Sequence, residues 1–242
     1  MIGRKIIQLD KVDSTNNYVA NLLKDRTIDH GTVILADEQT SGRGQRGSEW
    51  TSKAGENVIL SLYLDTAILS VNDQFILTQF ISISVSNTCK KYNVNTEIKW
   101  PNDIYINNKK IAGILIENQI KGSNLNGSII GIGLNTNQMS FGQLNATSIK
   151  KETGQFVSTK EFVFSLINEM NIYWDMIYSN EFSILNKLYL KNLWLLNKKA
   201  KYKDSEGEFE GIIKGTDEIG LLLLEKKGKI KKYNLKEISY IF

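Results

Sequence analysis

The segment best suited to hold an anionic ligand is a glycine-rich stretch with two arginines, residues 39–50. It reads Gln-Thr-Ser-Gly-Arg-Gly-Gln-Arg-Gly-Ser-Glu-Trp. Glycine has no Cβ, so backbone N–H groups can approach a ligand closely. The guanidinium groups of Arg43 and Arg46 suit carboxylate and phosphate oxygens. Taken alone, a solvated glycine-rich turn explains the segment equally well, so both interpretations stay open at this point.

A second group of charged side chains surrounds Pro101, the only proline of the chain. Proline interrupts the strand pattern of residues 97–106, and Asn107-Asn108 is typical of a tight turn, so a hairpin is predicted. It brings together two ammonium groups, an amide and a carboxylate, from Lys99, Lys110, Asn102 and Asp103. With Arg43 opposite, these groups suit the condensation of a carboxylate with a nucleotide phosphate, because positive charge must hold two anions together.

Small polar residues begin the first predicted helix: Ser14, Thr15 and Asn16. Asp13 or Ser14 can cap this helix. Capping needs only one of these side chains, so plain capping and the wall of a hydrogen-bonding pocket are both open. Glycines at 131 and 133 interrupt a later strand, which indicates close approach by a ligand or another backbone.

The single histidine and the single cysteine, His30 and Cys89, restrict the chemistry. One cysteine excludes an internal disulfide and a multi-cysteine metal site and favours the cytoplasm. His30 lies near no nucleophile motif, so a Ser–His–Asp triad is not supported. The net charge of +4 suits an anionic small substrate or an acidic partner and is too small to indicate nucleic acid. No apolar run is long enough to span a membrane.

The pattern of strands and helices predicts an α+β fold, with a mixed sheet flanked by helices. Strands are predicted at 6–9, 33–36, 58–64, 97–106, 109–117 and 128–134, and helices at 14–23, 73–92, 159–178 and 182–190, with Asn72 and Thr159 as N-caps. Residues 39–57 have no periodicity, which is usual for functional or mobile loops. Their arginines have no obvious internal partner, so we expect this loop to move when no ligand is bound. Short strands after residue 198 predict a small barrel, which gives domains at 1–192 and 197–242.

Five blocks of the sequence together resemble the biotin–protein ligases. In that family's order and approximate spacing they are Asp13-Ser14-Thr15-Asn16, Gly42-Arg43-Gly44-Gln45-Arg46-Gly47 with Trp50, Lys99-Trp100-Pro101-Asn102-Asp103, Lys110-Ile111-Ala112-Gly113-Ile114-Leu115-Ile116-Glu117, and Gly131-Ile132-Gly133-Leu134-Asn135. The combination is specific although no single block is, and the similarity covers essentially the whole chain. It implies the class II synthetase-like catalytic fold of biotin and lipoate ligases, with an SH3-like C-terminal barrel.

The resemblance implies a cytoplasmic enzyme that catalyses a two-step reaction and needs Mg²⁺. Biotin and MgATP give biotinyl-5′-adenylate and pyrophosphate. A lysine of the biotin carboxyl carrier domain of a carboxylase then attacks the mixed anhydride. Relatives often pair through a sheet edge, so a homodimer is one expectation, although the sequence does not decide the oligomeric state.

The resemblance also implies roles for individual residues. Biotin is expected to contact Ser14, Thr15, Asn16, Gln39, Gly42, Arg43, Gly44, Gln45, Lys110 and Gly113. ATP and the adenylate are expected to contact Arg43, Arg46, Trp50, Lys99, Asn102, Asp103, Lys110 and Asn135, with Asn135 near the adenine. Trp50 is expected to fold over the adenylate as the loop closes and excludes water. Lys110, Arg43, Lys99 and Asp103 form the catalytic group, and Asp103 is the expected Mg²⁺ ligand.

Two features depart from the best-known bacterial relatives. Gln45 stands where those relatives often carry arginine, so we expect weaker retention of the adenylate. Only nine residues precede Asp10, too few for the N-terminal DNA-binding domain that some relatives carry, so we expect neither DNA binding nor repression. Two alternatives remain at this point: a lipoate–protein ligase, and a non-catalytic module that senses biotin.

Overall fold

The computed structural model describes residues 1–25 and 28–241, and the side chain of Arg46 also lies outside the description. Its larger sheet has seven strands in the order β1-β2-β3-β7-β6-β5-β4. These strands are β1 (Ile6–Val12), β2 (Val33–Gln39), β3 (Val58–Leu64), β4 (Glu97–Lys99), β5 (Asp103–Ile106), β6 (Lys109–Lys121) and β7 (Asn124–Leu134). β1 and β2 run parallel and the other neighbours antiparallel, so the predicted mixed sheet is confirmed.

Helices cover both faces of this sheet. They are α1 (Thr15–Lys24), α2 (Phe75–Lys91), α3 (Ile149–Thr153), α4 (Thr159–Tyr178) and α5 (Phe182–Lys191). α1 packs on β2, β3 and β7, whereas α2 packs on β4, β5 and β6 and also contacts α4 and α5. Most side chains of α2 are buried, because this helix lies between the sheet and two other helices. None of the described helices is long and apolar enough to cross a membrane.

A second, five-stranded antiparallel sheet forms the C-terminal part in the order β11-β10-β9-β8-β12. Its strands are β8 (Lys199–Asp204), β9 (Gly207–Thr216), β10 (Leu222–Lys226), β11 (Lys229–Tyr233) and β12 (Ser239–Ile241). It packs on the larger sheet: the indole N–H of Trp100 donates to the carbonyl of Gly220 at 2.9 Å. Apolar side chains of both parts belong to one core, so the C-terminal sheet is held next to the hairpin of β4 and β5.

The hairpin prediction is confirmed in detail. Pro101 separates β4 from β5, and the Trp100–Pro101 peptide is cis. Asn107 and Asn108 have φ values of 48° and 62°, as expected of a two-residue turn in which both central residues have positive φ. Lys99, Asp103 and Lys110 therefore lie at the ends of paired strands.

Three local predictions were wrong. Asn72 is not a helix cap: it lies inside a 3₁₀ turn, Val71–Asp73, that precedes α2. The residue before that turn, Ser70, donates its hydroxyl to the Asp73 carboxylate at 2.6 Å. α4 has Ser158 as its N-cap, one residue before the predicted Thr159. The short helix α3 was not predicted, because a single turn has too few apolar positions to show a helical period.

Candidate active site

The floor of the site is a row of residues that crosses four neighbouring strands. The strand register aligns Asp103 of β5 with Gly113 of β6, then Gly133 of β7 and Ile59 of β3. The Trp50 indole lies on the two glycines: a Cβ on Gly133 would come within 2.3 Å of the indole, and one on Gly113 within 3.2 Å. A close approach at Gly133 is therefore confirmed, but the approaching group is a side chain of the loop rather than the predicted ligand or backbone.

A cavity of about 490 Å³ opens above this floor. Thirteen of the residues predicted for the site contribute to its lining: Ser14, Thr15, Asn16, Gln39, Arg43, Gly44, Gln45, Trp50, Lys99, Asn102, Asp103, Lys110 and Gly113. The C-terminal part adds Leu235, Lys236, Ile238, Ser239 and Tyr240. Arg43 and Lys110, which come from the loop and the hairpin, thus share one cavity.

Hydrogen bonds fix the polar end of the cavity around the start of α1. The Gln39 side-chain oxygen accepts from the Thr15 backbone N–H at 2.8 Å and from the Thr15 hydroxyl at 3.0 Å. Ser61 on β3 contacts the Thr15 hydroxyl at 2.7 Å and donates to the Asn16 amide oxygen at 2.5 Å. Ser14 is the N-cap residue by position, yet its side chain makes no capping bond. These buried side chains do more than plain capping requires, which favours the pocket-wall interpretation.

Arg43 has an internal partner, so one premise of the mobile-loop prediction was wrong. Its guanidinium contacts the Glu117 carboxylate at 2.8 Å, and the same carboxylate oxygen accepts from the Asn16 side-chain amide at 2.7 Å. The Trp50 backbone N–H also donates to the Gly42 carbonyl at 3.0 Å. The loop is therefore anchored to β6 through Arg43 and closed on itself between Gly42 and Trp50.

The cationic end of the cavity contains two lysines and one carboxylate. The Lys110 ammonium lies 2.6 Å from an oxygen of Asp103. The Lys99 ammonium donates to the Tyr105 hydroxyl at 3.1 Å. Burial lowers the pKa of Lys99 and the Lys110 charge lowers it further, whereas Asp103 opposes both effects. Burial also raises the pKa of the Tyr105 hydroxyl to about 12, so that hydroxyl stays neutral at physiological pH.

Three aromatic rings surround the Lys99 ammonium. Its nitrogen lies 4.8 Å from the ring centre of Tyr105, 6.0 Å from that of Trp194 and 5.0 Å from that of Tyr240. Ring faces attract cations at such distances. These rings keep a partly desolvated cation in place, and one of them comes from the last strand of the chain.

Three predicted site residues have other surroundings than expected. Gly42 does not line the cavity, and a Cβ there would come within 2.3 Å of the Trp50 carbonyl, so its role is in folding the loop. Asn135 is buried, does not line the cavity, and donates to the Thr147 carbonyl at 3.0 Å. Asn102 lines the cavity but donates its side-chain amide to the Ile114 carbonyl. Arg46 lies outside the described side chains.

The structure adds three residues that sequence reasoning did not assign to the site: Ser61, Glu117 and Tyr240. Side chains two residues apart on a strand share a face, so Gly113 on the floor predicts that Glu117, four residues on, faces the same side. That signal was available for Glu117. Ser61 and Tyr240 carry no such signal, because strand register brings Ser61 to the site and packing of the C-terminal sheet brings Tyr240 there.

The donor groups that could hold Mg²⁺ are few. Among the described residues there is no cluster of three or more His, Cys, Asp or Glu side chains that could hold a metal. The carboxylates that line the cavity are Asp103 and Glu49. Mg²⁺ is usually held by one or two carboxylates together with substrate phosphates, so this donor set suits a metal ion that arrives bound to ATP.

Comparison with known proteins identifies relatives over nearly the full chain. Residues 9–135 match the model of the biotin/lipoate A/B protein ligase family. The bifunctional ligase/repressor BirA of Bacillus spizizenii is 31% identical over 238 residues, which are 96% of this chain and 73% of that protein. The biotin–[acetyl-CoA-carboxylase] ligase of Paracoccus denitrificans is 28% identical over 225 residues, which are 89% and 92% of the two chains.

A solved structure supports the same assignment. The biotin protein ligase of Aquifex aeolicus in complex with biotin and ATP superposes with a TM-score of 0.81 at 27% identity and covers 98% of both chains. The fold is therefore that of the class of biotin protein ligases. Together with the family match and the BirA relative, it establishes that the chain belongs to the biotin/lipoate A/B protein ligase family, as its motifs predicted.

Proposed function

We propose that the protein is a biotin–protein ligase, which activates biotin with MgATP and transfers it to a lysine of a biotin carboxyl carrier domain. The observation that carries this proposal is the shared cavity of Arg43 and Lys110, with hydrogen-bonding side chains of α1 at one end and lysines at the other. The ligases from P. denitrificans and A. aeolicus support the choice of biotin, because their names include it.

In the first step, a carboxylate oxygen of biotin attacks the α-phosphorus of ATP, the bond to the β-phosphate oxygen breaks, and pyrophosphate leaves. Both reactants are anions, so fixed positive charge stabilises the transition state. Lys110 would leave Asp103, its partner in the structure. It would then contact the biotin carboxylate and the α-phosphate of ATP. Arg43 would add a second cation, and Lys99 would face the leaving phosphates.

Mg²⁺ would reach the site on ATP and offset phosphate charge there. Asp103 would be its protein ligand once Lys110 has moved to the substrates. The cavity residues would bind biotin and the adenylate: Ser14, Thr15, Asn16, Gln39, Gly44, Gln45 and Gly113 on the biotin side, and Asn102 on the ATP side. The motif also assigns Arg46 to the ATP side, although its side chain lies outside the description.

In the second step, the neutral amine of the acceptor lysine attacks the carbonyl carbon of the mixed anhydride, and AMP leaves. The attacking nitrogen loses a proton, for which Asp103 is the nearest carboxylate on the floor. Trp50 would cover the adenylate and exclude water, because its indole already lies over Gly113 and Gly133. Action in the cytoplasm and assembly as a homodimer also belong to this proposal.

Exchange of labelled pyrophosphate into ATP tests the first step. We expect exchange that depends on both biotin and Mg²⁺ and that lipoate does not support. Exchange with lipoate and none with biotin would identify a lipoate ligase. Biotin binding without any exchange would instead indicate a sensor.

A further inference from the structure

Glu117 is a charged residue in the site to which the proposed reaction assigns no chemistry. One of its carboxylate oxygens accepts from Arg43 at 2.8 Å and from the Asn16 amide at 2.7 Å. Arg43 belongs to the loop, Asn16 to α1 and Glu117 to β6. Its two partners lie 74 and 101 residues away in the chain, so this carboxylate joins three segments at one point.

The Asn16 side of this junction is rigid. Asn16 is only 3% exposed, and its amide oxygen already accepts from the Ser61 hydroxyl. A Cβ on Gly131 would come within 2.5 Å of that oxygen, so the absence of a side chain at Gly131 leaves the space that Asn16 occupies. With its oxygen fixed in this way, the amide nitrogen of Asn16 points to Glu117.

The Arg43 side of the junction is open to solvent. The side chains of Arg43 and Glu117 are 41% and 37% exposed, and such pairs are worth little when both partners move freely. A carboxylate that Asn16 already holds loses less freedom when it pairs with Arg43. The strength of the contact to the loop therefore depends on how firmly Asn16 is held.

We propose that Glu117 is a positioning residue that couples closure of the 39–57 loop to recognition of biotin. The inference rests on the proposed function, because it needs biotin to contact Arg43. Asn16 already holds the Glu117 carboxylate where Arg43 meets it, so biotin that also contacts Arg43 favours the closed loop. By reciprocity, the closed loop increases the affinity for biotin to the same degree.

The first experiment needs no ligand. Glutamyl endopeptidase can cleave after Glu49, an exposed residue of the loop. We expect Glu117→Ala to speed this cleavage by about two- to fivefold, the range for loss of an exposed ion pair. Glu225→Gln is the matched control, since Glu225 pairs with Lys214 at 3.0 Å with side chains 32% and 36% exposed, in the C-terminal sheet. Equal cleavage in Glu117→Ala and the control would overturn the proposal.

The second experiment measures biotin affinity by calorimetry. Glu117→Ala is expected to weaken binding by roughly tenfold, because a hydrogen bond to a charged group is lost. Glu117→Gln, which keeps the size of the side chain, should lie between this variant and the wild type. The double variant, Glu117→Ala with Arg43→Ala, should bind biotin more tightly than the two single variants predict when their effects are multiplied.

The outcomes separate this inference from the function on which it rests. A wild type that neither binds biotin nor exchanges pyrophosphate contradicts both. If the wild type binds biotin and exchanges pyrophosphate, the proposed function stands. If the effects of Arg43→Ala and Glu117→Ala on biotin affinity then simply multiply in the double variant, only the coupling is contradicted. Melting temperatures equal to that of the Glu225→Gln control show that Glu117→Ala has not merely unfolded the protein.

Discussion

The indole of Trp50 lies so close to Gly133 that a methyl group at that position would come within 2.3 Å of the ring. Gly133 belongs to a central strand, whereas Trp50 belongs to the loop that carries Arg43. The indole N–H is buried and has no hydrogen-bond partner among the described residues. Contact with the glycine floor, rather than hydrogen bonding, therefore holds the indole over the site.

Gly133→Ala should displace the indole without unfolding the sheet. Overpacking of this kind costs about 1–3 kcal/mol, and moving a loop side chain relieves it more easily than moving a strand. We expect faster hydrolysis of the adenylate intermediate, measured as AMP released in the absence of an acceptor. When Trp50 is already replaced by alanine, Gly133→Ala should raise the hydrolysis rate little further. If Gly133→Ala raises the rate by the same factor with and without Trp50, the strand rather than the indole is disturbed.

The rate of the ATP step should fall at alkaline pH because Lys99 loses its charge. This fall should occur at a lower pH than an ordinary lysine would give. The pKa of Lys99 lies below 10.5, with burial as the main cause, so the ammonium loses its charge at a lower pH than a solvated lysine does. With biotin saturating, kcat/KM for ATP reports the enzyme–biotin complex before ATP binds and should fall as pH rises through that pKa. Lys99→Arg keeps its charge throughout and should lack this fall. The same fall in both proteins would exclude Lys99 as its origin.

Gln45 should make the adenylate dissociate faster than an arginine at that position would allow. Gln45 lines the cavity, and its carbonyl accepts from the Ser48 N–H and hydroxyl, so its backbone is fixed while its side chain carries no charge. Gln45→Arg would add a cation to the cavity that is proposed to hold the adenylate and is expected to slow release of biotinyl-5′-adenylate by roughly tenfold, typical of a charge-assisted hydrogen bond. Filter-binding decay curves that coincide for the two proteins would contradict this expectation.

Asp204 should make the C-terminal sheet sensitive to acid. Burial disfavours its charge, but hydrogen bonds from Lys226, Tyr233, the Glu206 backbone and Lys231 outweigh that effect and lower its pKa below 3.8. A lowered carboxylate pKa stabilises the fold above the unfolded value, and this stabilisation is lost as pH falls through the folded value. Asp204→Asn should therefore be less stable than wild type at pH 7, and the difference should shrink below about pH 4.

Urea unfolding at several pH values measures this effect. Glu210→Gln is the control, because the Lys199–Glu210 pair is exposed on both sides and should contribute little at any pH. If the free energies of unfolding of wild type and Asp204→Asn differ by the same amount at pH 7 and at pH 3, the assignment to Asp204 is contradicted.

The sequence predicted those parts of the fold that local patterns specify. The apolar run at 58–64 became β3 with the same bounds, because a buried strand needs only a short continuous hydrophobic segment. Pro101 and Asn107-Asn108 placed the hairpin through backbone preferences that act over two or three residues. The thirteen predicted residues that line the cavity were identified by motif rather than by pattern.

The contacts that long-range packing determines were not predictable in this way. The partner of Arg43 lies 74 residues away, and its identity depends on the register of β6. Asn135 was expected near the adenine, yet its side chain joins the end of β7 to the Thr147 carbonyl. Tyr240 reaches Lys99 only because the C-terminal sheet packs against the hairpin. In each case the deciding fact is which strands are neighbours, and local composition does not contain it.

Lys110 and Arg43 are proposed to act together in one cavity to join biotin to a nucleotide and then to an acceptor lysine. Transfer of labelled biotin to a carrier-domain lysine, with wild type and Lys110→Met compared, measures this joint action. We expect labelling that requires ATP and a rate lower by about 10²–10³-fold in the variant, the usual loss when one preorganised charge is removed. Labelling by a folded Lys110→Met protein at the wild-type rate would contradict it.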